Sequence, residues 1–270
     1  MNARRYLNFF ARKIVYNSVT YKIYEKTLWN QVKDGEKPGH IAVIIDGNRR
    51  WANRRFAPTS VGHKTGADKV EELLRWCLNL GVRTITIYAF STENFQNRSK
   101  EEIEDILRLF NERLKRIAVE KDIHTERVKI RAIGRLYLLP KETQKLIRSA
   151  EEATKNYDDH YLNLAVAYGG RAEIIDAMKT IATEIKEGKL QAEEINEEVV
   201  EDHLYTAHLP KSDPDLVIRT SGEERMSGFL LWQTAYSELC FLDVYWPDFR
   251  RIDLLRAVRT FQKRERRYGT

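Results

Sequence analysis

The chain has 270 residues, 42% of them hydrophobic and 32% charged, with a formal net charge of +6. That is enough for one substantial globular domain or two small ones, and no apolar run approaches the length of a membrane span. The basic start "MNARRYLNFFARK" has no sustained apolar core, and Cys77 and Cys240 stand far apart without CxxC or Cys/His spacing. A secretory leader, a disulfide framework and a zinc site are therefore not expected, and the thiols read as buried ones in a reducing cytoplasm. Residues 1–38 carry eight Lys/Arg against three Asp/Glu, and residues 249–270 carry eight against two. The basic character thus sits at the two ends, where it suits nucleic acid, an anionic membrane surface or an anionic substrate.

In chain order, residues 6–32 mix Tyr6, Phe9, Phe10, Tyr16, Tyr21, Tyr24 and Trp29 with Lys and Arg at roughly helical spacing. The pattern predicts a helix packed on its own domain or on a partner subunit, with a place at a membrane interface as the alternative. "IAVII" (41–45) reads as a buried strand that runs into "DGNRR" (46–50). A helical pattern near 65–80 leads to the strand "TITIYAF" (84–90), which ends in "STEN" (91–94). Next comes a helix over 99–121, with Ser99 and Glu102 spaced as a capping box. The strand "VKIRAI" (128–133), a helix over 140–156, the strand "LNLAVAY" (162–168) and "GGR" (169–171) follow. A helix over 171–187 and the strand "DLVIR" (215–219) complete the series; Arg219 opens "RTSGEER" (219–225), with Ser227 just beyond. Alternating strands and helices predict an α/β fold with a mainly parallel central sheet flanked by helices. With no repeat or Pro/Gly-rich linker, the chain divides into an N-terminal helical extension (1–38) and one domain (39–270).

Ligands of open parallel sheets bind beyond the carboxyl ends of the strands. Four predicted strands end there in polar clusters. Taken singly, each has a local explanation: "GNRR" as a helix start, "STEN" as a cap, "GG" as a turn, Arg219 and Arg225 as surface charges. Taken together, clustered arginines and glycine turns describe a phosphate or diphosphate site. Asp46 among those cations has the natural task of holding Mg²⁺, which bridges carboxylate and phosphate oxygens. No GxxxxGK[ST], GxGxxG or DDxxD motif is present. Tyr88, Phe90, Phe95, Trp51 and the apolar stretch 229–246 are candidates to line a tunnel for a greasy tail, with ordinary core packing the plainer reading for most of them.

"HIAVIIDGNRRWA", "GHKTGA", "YAFSTENF", "LNLAVAYGGR", "DLVIRTSGEER" and "FLLWQTAYSELCFLDVYWPDF", in that order from about residue 40 onward, resemble the cis-prenyltransferases, the undecaprenyl/polyprenyl diphosphate synthases. The resemblance implies head-to-tail addition of isopentenyl diphosphate to an allylic prenyl diphosphate with a new Z double bond, an apolar tunnel in each subunit, and a homodimer. It implies Mg²⁺ held by Asp46 and Glu238, with Asp46 as the essential carboxylate and Asn94 near proton removal. Gly47, Asn48, Arg49, Arg50, Trp51 and His63 would handle the allylic diphosphate. Ser91, Thr92, Glu93 and Phe95 would sit by the reacting carbons. Arg98 is the match for the next family arginine, and Arg219, Arg225, Met226 and Ser227 would hold isopentenyl diphosphate. Product length would be set along the helix at 99–121 and the strand at 128–133. Thr59 stands where the family commonly has an arginine, Gly228 where asparagine is frequent, and Glu224 where some members carry histidine, which leaves room for an unusual starter or acceptor. A non-catalytic accessory subunit of the same fold is the alternative. The expected setting is cytoplasmic with a peripheral membrane contact, and no nucleic-acid partner is expected.

Overall fold

The structure, a computed structural model, describes residues 19–117 and 119–264. Helix α1 (Val19–Val32) precedes strand β1 (His40–Ile44), which leads through α2 (Asn48–Arg54) and α3 (Thr59–Leu80) to β2 (Thr84–Ser91). Then come α4 (Thr92–Asn97), α5 (Lys100–Ile117), α6 (Lys121–Thr125), β3 (Val128–Ile133), α7 (Lys141–Ala153) and β4 (His160–Tyr168). The chain closes with α8 (Gly170–Lys186), α9 (Glu197–Asp202), β5 (Leu216–Arg219), β6 (Glu238–Phe241) and α10 (Arg251–Lys263). Two compact units result. One spans residues 38–249, and the other joins the described ends, 19–37 and 250–264.

The larger unit holds a six-stranded sheet in the order β3-β4-β2-β1-β5-β6, parallel at every pairing. β1 is buried along its whole length, as a central parallel strand covered on both faces must be. From β1 the chain moves to β2 on one side and later returns to β5 on the other. The connections diverge there and leave a crevice above the carboxyl end of β1, where Asp46 sits.

Gly62 and Gly66 lie inside α3, which begins at Thr59 rather than near 65. A Cβ on Gly66 would stand 2.2 Å from Asn48 Oδ1, and one on Gly62 2.4 Å from the Asn48 carbonyl oxygen. One glycine per turn therefore seats α3 directly on α2. β6 is the strand absent from the expectations, because the continuous apolar run around it carries no alternation to reveal it.

A buried polar chain crosses the sheet. His208 Nε2 donates to Asn163 Oδ1 (2.9 Å), Asn163 Nδ2 donates to Thr86 Oγ1 (3.1 Å), and that hydroxyl lies 2.8 Å from His40 Nε2. Complete burial lowers the His40 imidazole from its ordinary 6.5 to about 4. A depressed histidine adds stability above pH 6.5 and loses it as pH falls toward 4, here by up to roughly 3 kcal/mol. Urea midpoints recorded from pH 7 to pH 4 are expected to fall accordingly, with a shallower fall in His40→Gln; parallel curves would remove His40 as a source of the pH dependence.

In the smaller unit α1 lies along α10. Arg251 pairs with Glu25 at 2.9 Å and covers the Trp29 ring, Arg256 covers Tyr24, and Gln262 Nε2 donates to the Val32 carbonyl. Tyr24 and Trp29 of α1 are thus taken up by arginine stacking, which accounts for their mixture with basic residues. Tyr6, Phe9, Phe10 and Tyr16 lie outside the described residues. No described helix is long and apolar enough to cross a membrane.

Candidate active site

Asp46 stands just past β1, half-buried, between two guanidiniums. Arg219, at the end of β5 and only 4% exposed, donates to Oδ2 at 2.8 Å, and Arg50, on the first turn of α2, donates to Oδ1 at 3.1 Å. Burial pushes the Asp46 carboxyl up, but the Arg219 hydrogen bond and the charges of Arg50 and Arg219 outweigh it and hold the group below the ordinary carboxylate range. The turn that places Arg50 needs Gly47. Its φ is +106°, and a Cβ there would meet the Tyr245 ring at 2.7 Å.

The loop after β5 wraps the same guanidiniums. Arg219 donates to the Arg225 carbonyl and to Ser227 Oγ (2.8 Å), while Arg50 reaches Ser221 Oγ (2.7 Å) and Glu223 (2.8 Å). Ser221 and Ser227 both hold positive φ, +78° and +48°, the kind of backbone strain that collects at ligand-binding loops. The Arg225 side chain is exposed and pairs with Glu223, and Met226 packs toward the core.

A second cationic cluster surrounds Glu102, on the first turn of α5. Its Oε1 lies 3.2 Å from His63 Nε2, 3.4 Å from Arg98 and 3.7 Å from Arg49. Burial, with the neighbouring Arg98 and Arg49 charges, keeps the His63 imidazole below its ordinary value despite Glu102. The neutral ring therefore donates through Nε2. Sequence reasoning assigned Glu102 to a capping box. Its backbone N–H does donate to the Ser99 hydroxyl (3.2 Å), but its carboxylate turns to the two arginines and His63, a role marked in the sequence only by its spacing of four from Arg98.

Between these clusters opens a cavity of about 670 Å³. Asp46, Asn48, His63, Ser91, Glu93, Asn94, Arg98, Arg219 and Ser227 form its mouth, and aliphatic residues of α3, α5, β2 and β4 form its depth. Ser91 caps α4, its hydroxyl accepting the Asn94 backbone N–H at 3.1 Å; Thr92 turns to Glu93 instead (3.2 Å). Among the described residues, Asn48 Oδ1 and Arg219 Nε are buried without a hydrogen-bond partner, a polar capacity that protein groups leave unused.

Several expectations are corrected by this geometry. Trp51 does not line the cavity: its indole N–H donates to Asp248 (2.8 Å) and Arg55 lies over its ring at 4.2 Å. Phe95 packs edge-on against Phe90 and is likewise absent from the wall, as is the stretch 229–246. Phe229 stacks on Tyr88 in the core at 4.6 Å instead. Leu162 and Leu164 of β4, rather than the strand at 128–133, face the cavity. "GGR" gives the site nothing directly. The Gly170 N–H donates to the Gly228 carbonyl (2.7 Å), so this glycine serves a close approach of α8 to the loop after β5. Glu238 pairs in register with Leu216, which pairs with Ile41; it therefore lies at the amino end of the sheet, away from Asp46 of the same chain.

If Glu102 occupies cations that an anionic head group would otherwise meet, Glu102→Gln should tighten inorganic diphosphate binding about five-fold at low ionic strength, and the gain should shrink with added salt. Titration calorimetry at two salt concentrations checks this. Weaker binding at both would mean that Glu102 instead holds Arg49, Arg98 and His63 in place.

Two basic clusters, one around Asp46 and one around Glu102, above an apolar cavity in a parallel α/β sheet, define a protein that handles anionic head groups on apolar tails. The comparisons agree. The family described as "Putative undecaprenyl diphosphate synthase" matches residues 44–269. The tritrans,polycis-undecaprenyl-diphosphate synthase (geranylgeranyl-diphosphate specific) of Methanopyrus kandleri is 53% identical over 269 residues, all of this chain and 97% of the relative. The protein of the same name from Methanocaldococcus jannaschii is 53% identical, covering 94% of this chain and 90% of its own. Lavandulyl diphosphate synthase from Lavandula x intermedia, solved in complex with dimethylallyl diphosphate, superposes with a TM-score of 0.83 at 36% identity, over 87% of this chain and 99% of that one. A probable undecaprenyl diphosphate synthase from Campylobacter jejuni gives 0.70 at 33% identity, over 87% and 100%. The chain belongs to the cis-prenyltransferase family.

Proposed function

We propose that this chain adds isopentenyl diphosphate head-to-tail to an allylic prenyl diphosphate, forming Z double bonds, and repeats the addition to make a long-chain polyprenyl diphosphate of the lipid-carrier type. Geranylgeranyl diphosphate is the favoured starter, since relatives sharing about half of the sequence over nearly the whole chain are named as specific for it. The observation that carries the reading is Asp46, shared between Arg50 and Arg219 at the mouth of an apolar cavity.

Arg49, His63 and Arg98 stabilise the charge that grows on the departing allylic diphosphate as its C–O bond breaks. Arg219, Ser227 and a repositioned Arg225 hold isopentenyl diphosphate so that its alkene faces the allylic carbon at Ser91 and Asn94. The cavity takes the tail and keeps water from the cationic carbon. After the C–C bond forms, a proton leaves the isopentenyl unit. The Asn94 carboxamide is not a base at neutral pH, so it orients that proton toward Asp46 or a diphosphate oxygen.

The donor set fits Mg²⁺ carried in with a diphosphate rather than a preformed cage. Asp46 is a single carboxylate, no group of three metal-ligating side chains occurs among the described residues, and Mg²⁺ is commonly held by one or two carboxylates plus substrate phosphates. Bound there, the ion would neutralise diphosphate charge. Glu238 can share such an ion with Asp46 only from a second copy of the chain, in keeping with a homodimer. A peripheral membrane contact fits the apolar product. The test is incubation of the purified protein with radiolabelled isopentenyl diphosphate, Mg²⁺ and geranyl, farnesyl or geranylgeranyl diphosphate, with products sized after dephosphorylation. A Mg²⁺-dependent ladder, strongest from geranylgeranyl diphosphate, is expected; no incorporation from any starter would overturn the reading.

A further inference from the structure

The outer wall of the cavity carries charges that diphosphate chemistry does not need. Arg113 lies eleven residues along α5 from Glu102, about 16 Å of helix away from the cluster at the mouth. Its side chain is 16% exposed, its guanidinium sits between Asp68 and Glu71, one turn apart on α3, and Glu71 also takes Arg116 at 3.3 Å. Arg113 and Glu71 line the cavity together with Val70, Leu74, Phe110 and Leu114. One turn further down, Arg75 reaches Asp122 of α6 at 3.4 Å.

A tail at this depth has the sheet on one side and the α3–α5 pair on the other. The sheet side is held by backbone hydrogen bonds and does not part. The helix side is joined across its outer seam by ion pairs, and charges that separate there are compensated by water, which interlocked apolar side chains are not. A bulky tail threaded past the clusters at the mouth meets its lowest barrier at this seam.

We infer that Arg113, with Asp68 and Glu71, is a latch on the α3–α5 seam through which the grown tail leaves the cavity, and that its strength sets product length. The inference rests on the elongation activity proposed above. Chain length follows from competition between the next addition and release, so a weaker latch gives shorter products. No part of the latch touches the reacting atoms, and the rate of a first addition to a short starter, whose tail ends before Arg113, is untouched by it.

The test uses Arg113→Met, which keeps the wall filled, and the triple variant Asp68→Asn/Glu71→Gln/Arg113→Met, which leaves no unpaired charge. In an isotope chase, both are expected to release product about 5-fold faster or more, with a ladder shifted to shorter chains and an unchanged first-addition rate from geranyl diphosphate, whose short tail ends before Arg113. In the wild type, 1 M salt should shift the ladder the same way, and in the triple variant it should not. A lower melting temperature with an unchanged ladder and chase would show a purely structural ion pair and overturn the inference. Should the wild type make no ladder, the proposed reaction fails, and the latch is judged by hydrogen exchange. Faster exchange confined to α3 and α5 in Arg113→Met supports it, and unchanged exchange overturns it.

Discussion

Replacing Asp46 by Asn is expected to lower kcat about 10³-fold, roughly 4 kcal/mol of transition-state stabilisation, while leaving the fold intact. The carboxamide has nearly the shape of the carboxylate and can still accept from Arg219, whose bonds to Ser227 and the Arg225 carbonyl remain. What disappears is the negative charge that balances two guanidiniums and that, in the proposed reaction, would give a divalent ion its protein ligand. The ground state should respond in the opposite sense. A carboxylate beside a diphosphate repels it, so diphosphate affinity without metal should rise in the variant while the apparent affinity for Mg²⁺ falls. Steady-state rates with a Mg²⁺ titration, and calorimetry without metal, separate the two effects. A kcat within ten-fold of wild type would remove Asp46 from the chemistry.

Arg219→Lys is expected to reduce kcat/KM for isopentenyl diphosphate about 100-fold with little change in allylic diphosphate affinity. The guanidinium contacts Asp46, Ser227 and the Arg225 carbonyl at once, and its planar fork fixes carboxylate and loop relative to each other. A lysine ammonium keeps the charge but cannot span those directions. Because the side chain is nearly fully buried, its partners lose bonds that water cannot replace, and stability should drop by about 1–3 kcal/mol, visible as a lower melting temperature. The cluster of Arg49, His63 and Arg98, proposed above for the allylic diphosphate, is built on α2, α3 and the turn before α5 and does not depend on Arg219. An equal loss for both substrates would mean that the two clusters form a single site, against the division made here.

Much of this molecule is legible in the sequence, for physical reasons. Buried parallel strands are short runs of β-branched residues between polar turns, so β1 to β5 fall within two residues of their expected bounds. Polar residues directly after such strands have one place to go, and "DGNRR", "STEN" and "RTSGEER" do meet around one cavity mouth. Residues whose role depends on partners distant in sequence could not be read in this way. Glu102 looks like a cap until α3 brings His63 beside it, and Arg113 looks like a solvated helix charge until Asp68 and Glu71 enclose it. Trp51, Phe95 and the run 229–246 look like tunnel lining until the packing of α2, β2 and β6 turns them elsewhere. Local pattern determines which face of an element is apolar and where it ends. Which side chains share a pocket is decided only when strand order and register bring separate segments together: β5 returning beside β1 hands Arg219 to Asp46, and the Ile41–Leu216–Glu238 register takes Glu238 away from it.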